Sequence, residues 1–278
     1  MNRSLKENSL AYPNVYQGFG IVLIFILLSF LTGIFISAGN FHGHKGMLDF
    51  LQLLGYMLAA GGTFLIIARI KVRQYDDKPV LRNYRVTPAD FIIVLLVTFM
   101  VIIVLDPLTN LIPVPDTFRE LFESMFSKTL PAFITAVIVA PILEELIFRG
   151  IVLEGFLRNY CPVKAIIWTN VLFGFAHLNP WQFIGAFFMG IFISWVYYKT
   201  RNLNLAIFIH MINNLLSYLF LYFTDKPVTE ATLNDVFTGS SGYLTLVILC
   251  LILLGLFFAF SNRIFPIKPI KEKYTDHC

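Results

Sequence analysis

Eight apolar stretches dominate the sequence, near 17–38, 48–70, 88–106, 130–153, 163–178, 182–198, 204–223 and 242–263. A helix of roughly 20 such residues crosses the roughly 30 Å of hydrocarbon in a bilayer. With 57% hydrophobic and 14% charged residues in 278, the chain cannot clothe itself in polar groups. A soluble domain of this size carries about 25% charged residues. The pattern predicts an all-α fold, a polytopic membrane helix bundle of about eight transmembrane helices. It argues against a disordered chain, a coiled coil, a secreted disulfide scaffold and a nucleic-acid partner. Cys161, Cys250 and Cys278 are too few and too scattered for a disulfide framework or a paired-cysteine metal site.

The first stretch is too long for a signal-peptide core, and Ser37-Ala38-Gly39 makes a poor cleavage site, so it is expected to stay as a helix. An even number of spans puts both termini on one side. With the N-terminus inside, the basic residues sort sharply: only Lys45, Arg119, Lys128 and Lys226 fall in outer loops. The expectation is an integral multi-pass protein of the cytoplasmic membrane with both termini cytoplasmic. Phe118, Leu121, Phe122 and Met125 recur at helical spacing behind Asp116, which predicts an interfacial helix in the outer loop. Trp181, Tyr197, Tyr198 and Tyr222 near span ends fit an aromatic belt, and the basic run from Arg69 to Arg85 fits a solvated inner loop against anionic lipid. No repeat or linker divides the chain, so residues 1–278 read as a single membrane domain: helices and the interfacial segment over 1–129, then a core over 130–223.

An ionisable residue inside a span costs about 2.5–3.5 kcal/mol on the insertion scale, so it persists where it faces protein or water. Such residues concentrate in three segments: Pro141 to Gly150 with Glu144, Glu145 and Arg149; Phe173 to His177; and His210 to Asn214. Counting 1.5 Å per residue from the nearest inner basic anchor places Glu144, His177 and Asn214 each roughly 20 Å above the inner boundary, and His210 about 14 Å above it. Three helices thus bring polar groups to similar heights. The fifth and sixth stretches are short and joined only by Asn179-Pro180-Trp181, so a water-filled pocket open to the cytoplasm can reach His177.

Glu145 and Arg149 stand at i,i+4, the spacing at which a Glu accepts from an Arg one turn later. Glu144 projects about 100° away and has no such partner on its own helix. His210 and Asn214, also at i,i+4, present an imidazole and an amide on one face. Asn170 shares a face with His177 and reads as interhelical glue, and Phe148 and Phe173 read as packing. A carboxylate beside a histidine can take a proton from water while polar donors stabilise the oxyanion that develops on a carbonyl. Glu144, His177 and His210, with a second Glu, could instead hold zinc and leave one position for water. Neither a nucleophile-elbow serine nor a His-Glu-x-x-His motif is present. Midplane polar groups also suit a transporter, although no inverted repeat is evident, and a scaffold or immunity protein could keep the fold and act by binding.

Glu144-Glu145-x-x-x-Arg149, Phe173-x-x-x-His177 and His210-x-x-x-Asn214, in that order, resemble the three motifs of the CPBP intramembrane proteases, the family of type II CAAX prenyl endopeptidases and bacterial abortive-infection proteins. The resemblance covers residues 130–223. It implies an intramembrane endopeptidase of a bacterial cytoplasmic membrane, acting on a membrane protein or lipidated peptide. Glu144 would be the general base, with His177 as its partner in activating water. His210 and Asn214 would form the oxyanion hole, with Glu145 and Arg149 in support. No cofactor would be required if the mechanism is glutamate-dependent, and zinc would be if it is that of a metalloprotease.

Overall fold

The computed structural model describes residues 11–39, 45–79, 81–111, 114–115, 117, 127–220, 222, 232–236 and 240–267. The described residues form eight helices of substance and no strand. They are α1 (Val15–Ala38), α2 (Lys45–Tyr75), α3 (Pro88–Thr109), α4 (Leu130–Asn159), α5 (Pro162–Ala176), α6 (Pro180–Thr200), α7 (Leu203–Phe220) and α8 (Ser240–Ile264). A one-turn helix, Leu233–Val236, precedes α8. Seven of the eight are long and apolar enough to cross a membrane; α5 is the shorter exception. The protein is an integral membrane helix bundle. The interfacial helix expected over 116–126 lies outside the described residues save for Thr117.

Helix starts follow from side chains that catch the orphan N–H groups of a first turn. Asn14 and Gln17 close a capping box on α1, and Thr87 and Asp90 close another on α3, each with reciprocal side-chain-to-backbone bonds. Thr129 caps α4 and Asn179 caps α6, with a proline in the first turn of each. The link between α5 and α6 is three residues long, with Leu178 in the left-handed region at φ 57°. The Asn179 side chain donates to the His177 carbonyl across it. This tight turn fixes where α5 stops.

Lipid offers no hydrophobic drive between helices, so close approach and polar contacts decide who packs on whom. α1 lies along α2, α5 along α6, and α8 covers α3. Gly55 of α2 permits the first pairing, since a Cβ there would come within 2.9 Å of Ile36 Cδ1. α4 is the centre, contacting α2, α5, α6 and α7. At 30 residues it is about 45 Å long, more than the hydrocarbon requires, whereas α5, with 15, reaches only about 22 Å. α5 is therefore shorter than the hydrocarbon is thick, whereas the sixth helix, expected to be short as well, has 21 residues and is long enough to cross.

α4 is not uniform. Two π-helical segments, Ile134–Val139 and Phe148–Leu153, flank the α-helical turns Ala140–Ile147 that carry both glutamates. Pro141 explains the first. A proline has no N–H and its ring collides with the carbonyl four residues back, so the bonding pattern around it must shift. Ala140 donates to Thr135, five residues back. In that pattern residue 141 would serve the Ala136 carbonyl, and the proline cannot. Asn214 Nδ2, on α7, donates to that carbonyl instead, at 2.8 Å.

Two expectations are corrected at the ends of the spans. Tyr197 is wholly buried, its hydroxyl donating to Glu154 at 2.9 Å, so it does not belong to an aromatic belt. The basic run from Arg69 to Arg85 is not uniformly solvated: Lys71 is buried and pairs with Asp77, and Arg82 reaches Glu154 at 3.3 Å.

Candidate active site

The middle of α4 turns two adjacent carboxylates in different directions, as a 100° step between neighbours requires. Glu145 is fully buried and accepts from Arg149 Nη1 at 2.9 Å, the i,i+4 pair expected from the sequence. Arg149 is itself held by two further acceptors, Asn170 Oδ1 at 3.2 Å and the Gly190 carbonyl at 3.0 Å. Asn170 in turn donates to the Ile166 carbonyl and to Ser194. Its role as glue between α5 and α6 is therefore extended: it also orients the guanidinium. Behind the site lies a dry layer of Glu145, Arg149, Asn170 and Ser194, contributed by α4, α5 and α6.

Glu144 occupies a different layer. Its side chain keeps 13% of its surface exposed. Tyr56, from α2, donates to its Oε1 at 2.5 Å. Its Oε2 lies 3.8 Å from Nε2 of His210, on α7. Among the described residues no Lys or Arg pairs with it. A buried carboxylate without a cation is the costly arrangement, and function is the usual reason it persists.

His210 bridges the layers. Its Nδ1 is 2.8 Å from Glu145 Oε1 while its Nε2 faces Glu144. His177 sits at the C-terminal cap of α5, half-buried, with Nδ1 2.9 Å from the Phe173 carbonyl. A carbonyl only accepts, so Nδ1 carries the proton, and a neutral ring leaves Nε2 with its lone pair. The two imidazoles meet at one phenyl ring: Phe173 presents its neighbourhood edge-on to His177 at 5.1 Å and to His210 at 5.8 Å between centroids. Arg149 lies over the same ring at 5.0 Å, and Phe148 packs against it at 5.0 Å. Phe173 is packing, as expected, but packing that sets the spacing of two histidines.

Asn214 is on the same wall of α7, with Nδ2 on the Ala136 carbonyl and Oδ1 accepting from Asn213. One N–H of its amide remains beyond those bonds. The structure thus gathers Glu144, Glu145, Arg149 and His210 into direct contact. It joins His177 to them through Phe173 and places Asn214 one turn along α7 from His210. Among the described residues no three His, Cys, Asp or Glu side chains form a group able to hold a metal ion. The alternative zinc set of Glu144, His177 and His210 is not assembled as such a group.

Sequence reasoning missed Tyr56. Nothing local marks it: its helix is apolar around it, and its partner is 88 residues away. A tyrosine hydroxyl in the middle of an apolar span was the available signal, because a buried phenol needs a partner.

Comparison with known proteins agrees with the motifs. Residues 126–216 match the model of a family described as type II CAAX prenyl endopeptidase Rce1-like. Over those residues the chain is similar to that family, in the segment that carries the three motifs. The membrane-embedded CAAX protease MroQ of Staphylococcus aureus (strain USA300) is 28% identical over 228 residues, covering 76% of this chain and 91% of that protein. The uncharacterized protein YyaK of Bacillus subtilis (strain 168) is 27% identical over 208 residues, 69% of this chain and 67% of that one. No solved structure matches. The match to the family model lies on α4 to α7, the helices that supply all the motif residues, and leaves α2 with Tyr56 outside it.

Proposed function

We propose that this protein is an intramembrane endopeptidase of the CAAX-protease type, hydrolysing a peptide bond with water activated by Glu144. The observation that carries the reading is the Glu144 carboxylate. It is partly open, lacks a cationic partner among the described residues, and has one oxygen held by a phenol and the other turned to an imidazole. A carboxylate fixed in this way, and not neutralised, can accept a proton.

In the proposed reaction a water lies against Glu144 Oε2, and the 3.8 Å gap to His210 Nε2 leaves room for it to contact both groups. Its oxygen adds to the scissile carbonyl carbon as its proton passes to Glu144. The carbonyl pair moves onto oxygen, where His210 and the spare Asn214 N–H are the donors on α7. His177 Nε2 accepts a second hydrogen bond from the water and orients it. Collapse of the tetrahedral intermediate breaks the C–N bond, and the proton held by Glu144 goes to the leaving amine. Glu145 and Arg149 act through His210, which they position.

The substrate class is a membrane-borne or lipidated peptide, a reading supported by similarity to the membrane-embedded CAAX protease of Staphylococcus aureus. The test uses the full chain in lipid nanodiscs and a quenched-fluorescent peptide ending in a farnesylated cysteine, two aliphatic residues and alanine. Wild type is expected to cleave it, and Glu144→Gln to cleave about 10²–10⁴-fold more slowly at an unchanged melting temperature. Equal rates for the two, or no cleavage by wild type, would overturn the proposal.

A further inference from the structure

The first three helices supply more than a wall. We propose that Tyr56 is a positioning residue of the active site, its neutral hydroxyl holding the Glu144 carboxylate so that the free oxygen faces His210 and the attacking water. The inference rests on the hydrolytic role proposed for Glu144 and adds to it a residue outside the segment that matches the family.

The geometry supplies the argument. A glutamate side chain has three torsions, and one carboxylate oxygen left to itself samples several directions. Here Oε1 is held by Tyr56 at 2.5 Å, while Oε2 lies 3.8 Å from His210 Nε2. The phenol cannot drift. Its ring meets Phe25 of α1 edge-on at 6.2 Å between centroids, and the neighbouring Gly55 lets α1 and α2 approach closely. The contrast with Glu145 explains why a tyrosine stands here. Arg149 holds Glu145 with a full positive charge and makes it unavailable as a base. A phenol holds Glu144 as firmly in space and leaves its negative charge in place. Reaction within a fixed geometry is favoured over reaction from a mobile group, and small misplacements are costly.

The hydrogen bond fixes a position and adds no charge, so its loss should act on turnover and not on substrate binding, a signature beyond a loss of stability. The titratable and charged groups around Glu144 are Tyr56 on α2, His210 on α7, and Glu145 and Arg149 on α4 itself. Of these only Tyr56 can be altered by one oxygen atom without touching the dry layer.

The experiment compares wild type, Tyr56→Phe and Glu144→Gln as full chains in nanodiscs, with the farnesylated quenched peptide as probe. For Tyr56→Phe, kcat is expected to fall on the order of tenfold to a hundredfold, the worth of a hydrogen bond to a charged group, with KM little changed. Melting temperature should stay near wild type, because the ring and its contact with Phe25 remain. An unchanged kcat, with Glu144→Gln inactive, would overturn the role of Tyr56 and leave the base intact. A fall in kcat accompanied by a raised KM and a lowered melting temperature would also overturn it, as that marks a structural residue. Undiminished cleavage by Glu144→Gln would remove the base itself, and the positioning role with it.

Discussion

Two acidic centres ten positions apart on α4, Glu144 and Glu154, solve the same problem in opposite ways. At Glu154 both oxygens are taken: Oε1 accepts from Tyr197 and from Arg201 Nη1, each at 2.9 Å, and Oε2 from Arg82 at 3.3 Å. The glutamate and Arg201 are almost wholly buried, and α4, α6 and the segment before α3 are tied together by the cluster. At Glu144 a neutral phenol donates to one oxygen, the other faces an imidazole across 3.8 Å, and the side chain is partly open. A buried carboxylate ringed by cations is spent on holding helices together. One held by neutral donors stays free to do chemistry. Glu145 belongs with Glu154 in this respect, since Arg149 claims it. The difference between neighbours 144 and 145 is thus larger than the difference between 145 and 154.

Substitutions can sharpen that division. The largest effect on folding is expected for Arg149→Met, which strands Glu145 in a dry layer: about 3–5 kcal/mol of stability, read as a fall in melting temperature and in the yield of folded protein. Adding Glu145→Gln should restore part of the stability without restoring cleavage. Gly190→Ala should come next, at about 2 kcal/mol. Its Cβ would lie 2.3 Å from Asn170 Oδ1 and 3.3 Å from Arg149 Nη2, and Asn170 is fixed by its own bonds. Tyr197→Phe should be mildest, about 1.5 kcal/mol, because Glu154 keeps both cations; thermal melts should register it, and kcat on the farnesylated peptide should not. A Tyr197→Phe variant that melts like wild type but cleaves more slowly would erase the boundary between the two centres.

Much of this arrangement is legible in the chain. The eight stretches mark the eight helices, and the i,i+4 spacing of Glu145 and Arg149 becomes a direct ion pair because a helix brings those positions together. What escapes is whatever depends on a partner distant in sequence. Glu154 lies one residue beyond the fourth apolar stretch and looks like a loop acid until α4 is seen to run on to Asn159. Tyr56 is one of 12 tyrosines, and only the approach of α2 to α4 distinguishes it. Asn214 is legible as a polar group on α7 but not as the donor for a carbonyl that Pro141 leaves unserved, since that requires the π pattern around the proline. Local periodicity places side chains on faces; it does not say which face meets which.

The most direct test sets Glu144→Gln beside Glu154→Gln, measuring kcat/KM on the farnesylated peptide and the melting temperature of each in the same nanodiscs. The account predicts that Glu144→Gln melts like wild type and loses cleavage by at least about a hundredfold, whereas Glu154→Gln melts lower and cleaves at close to the wild-type rate per folded molecule. Cleavage preserved in Glu144→Gln, or lost in Glu154→Gln without any loss of thermal stability, would contradict it.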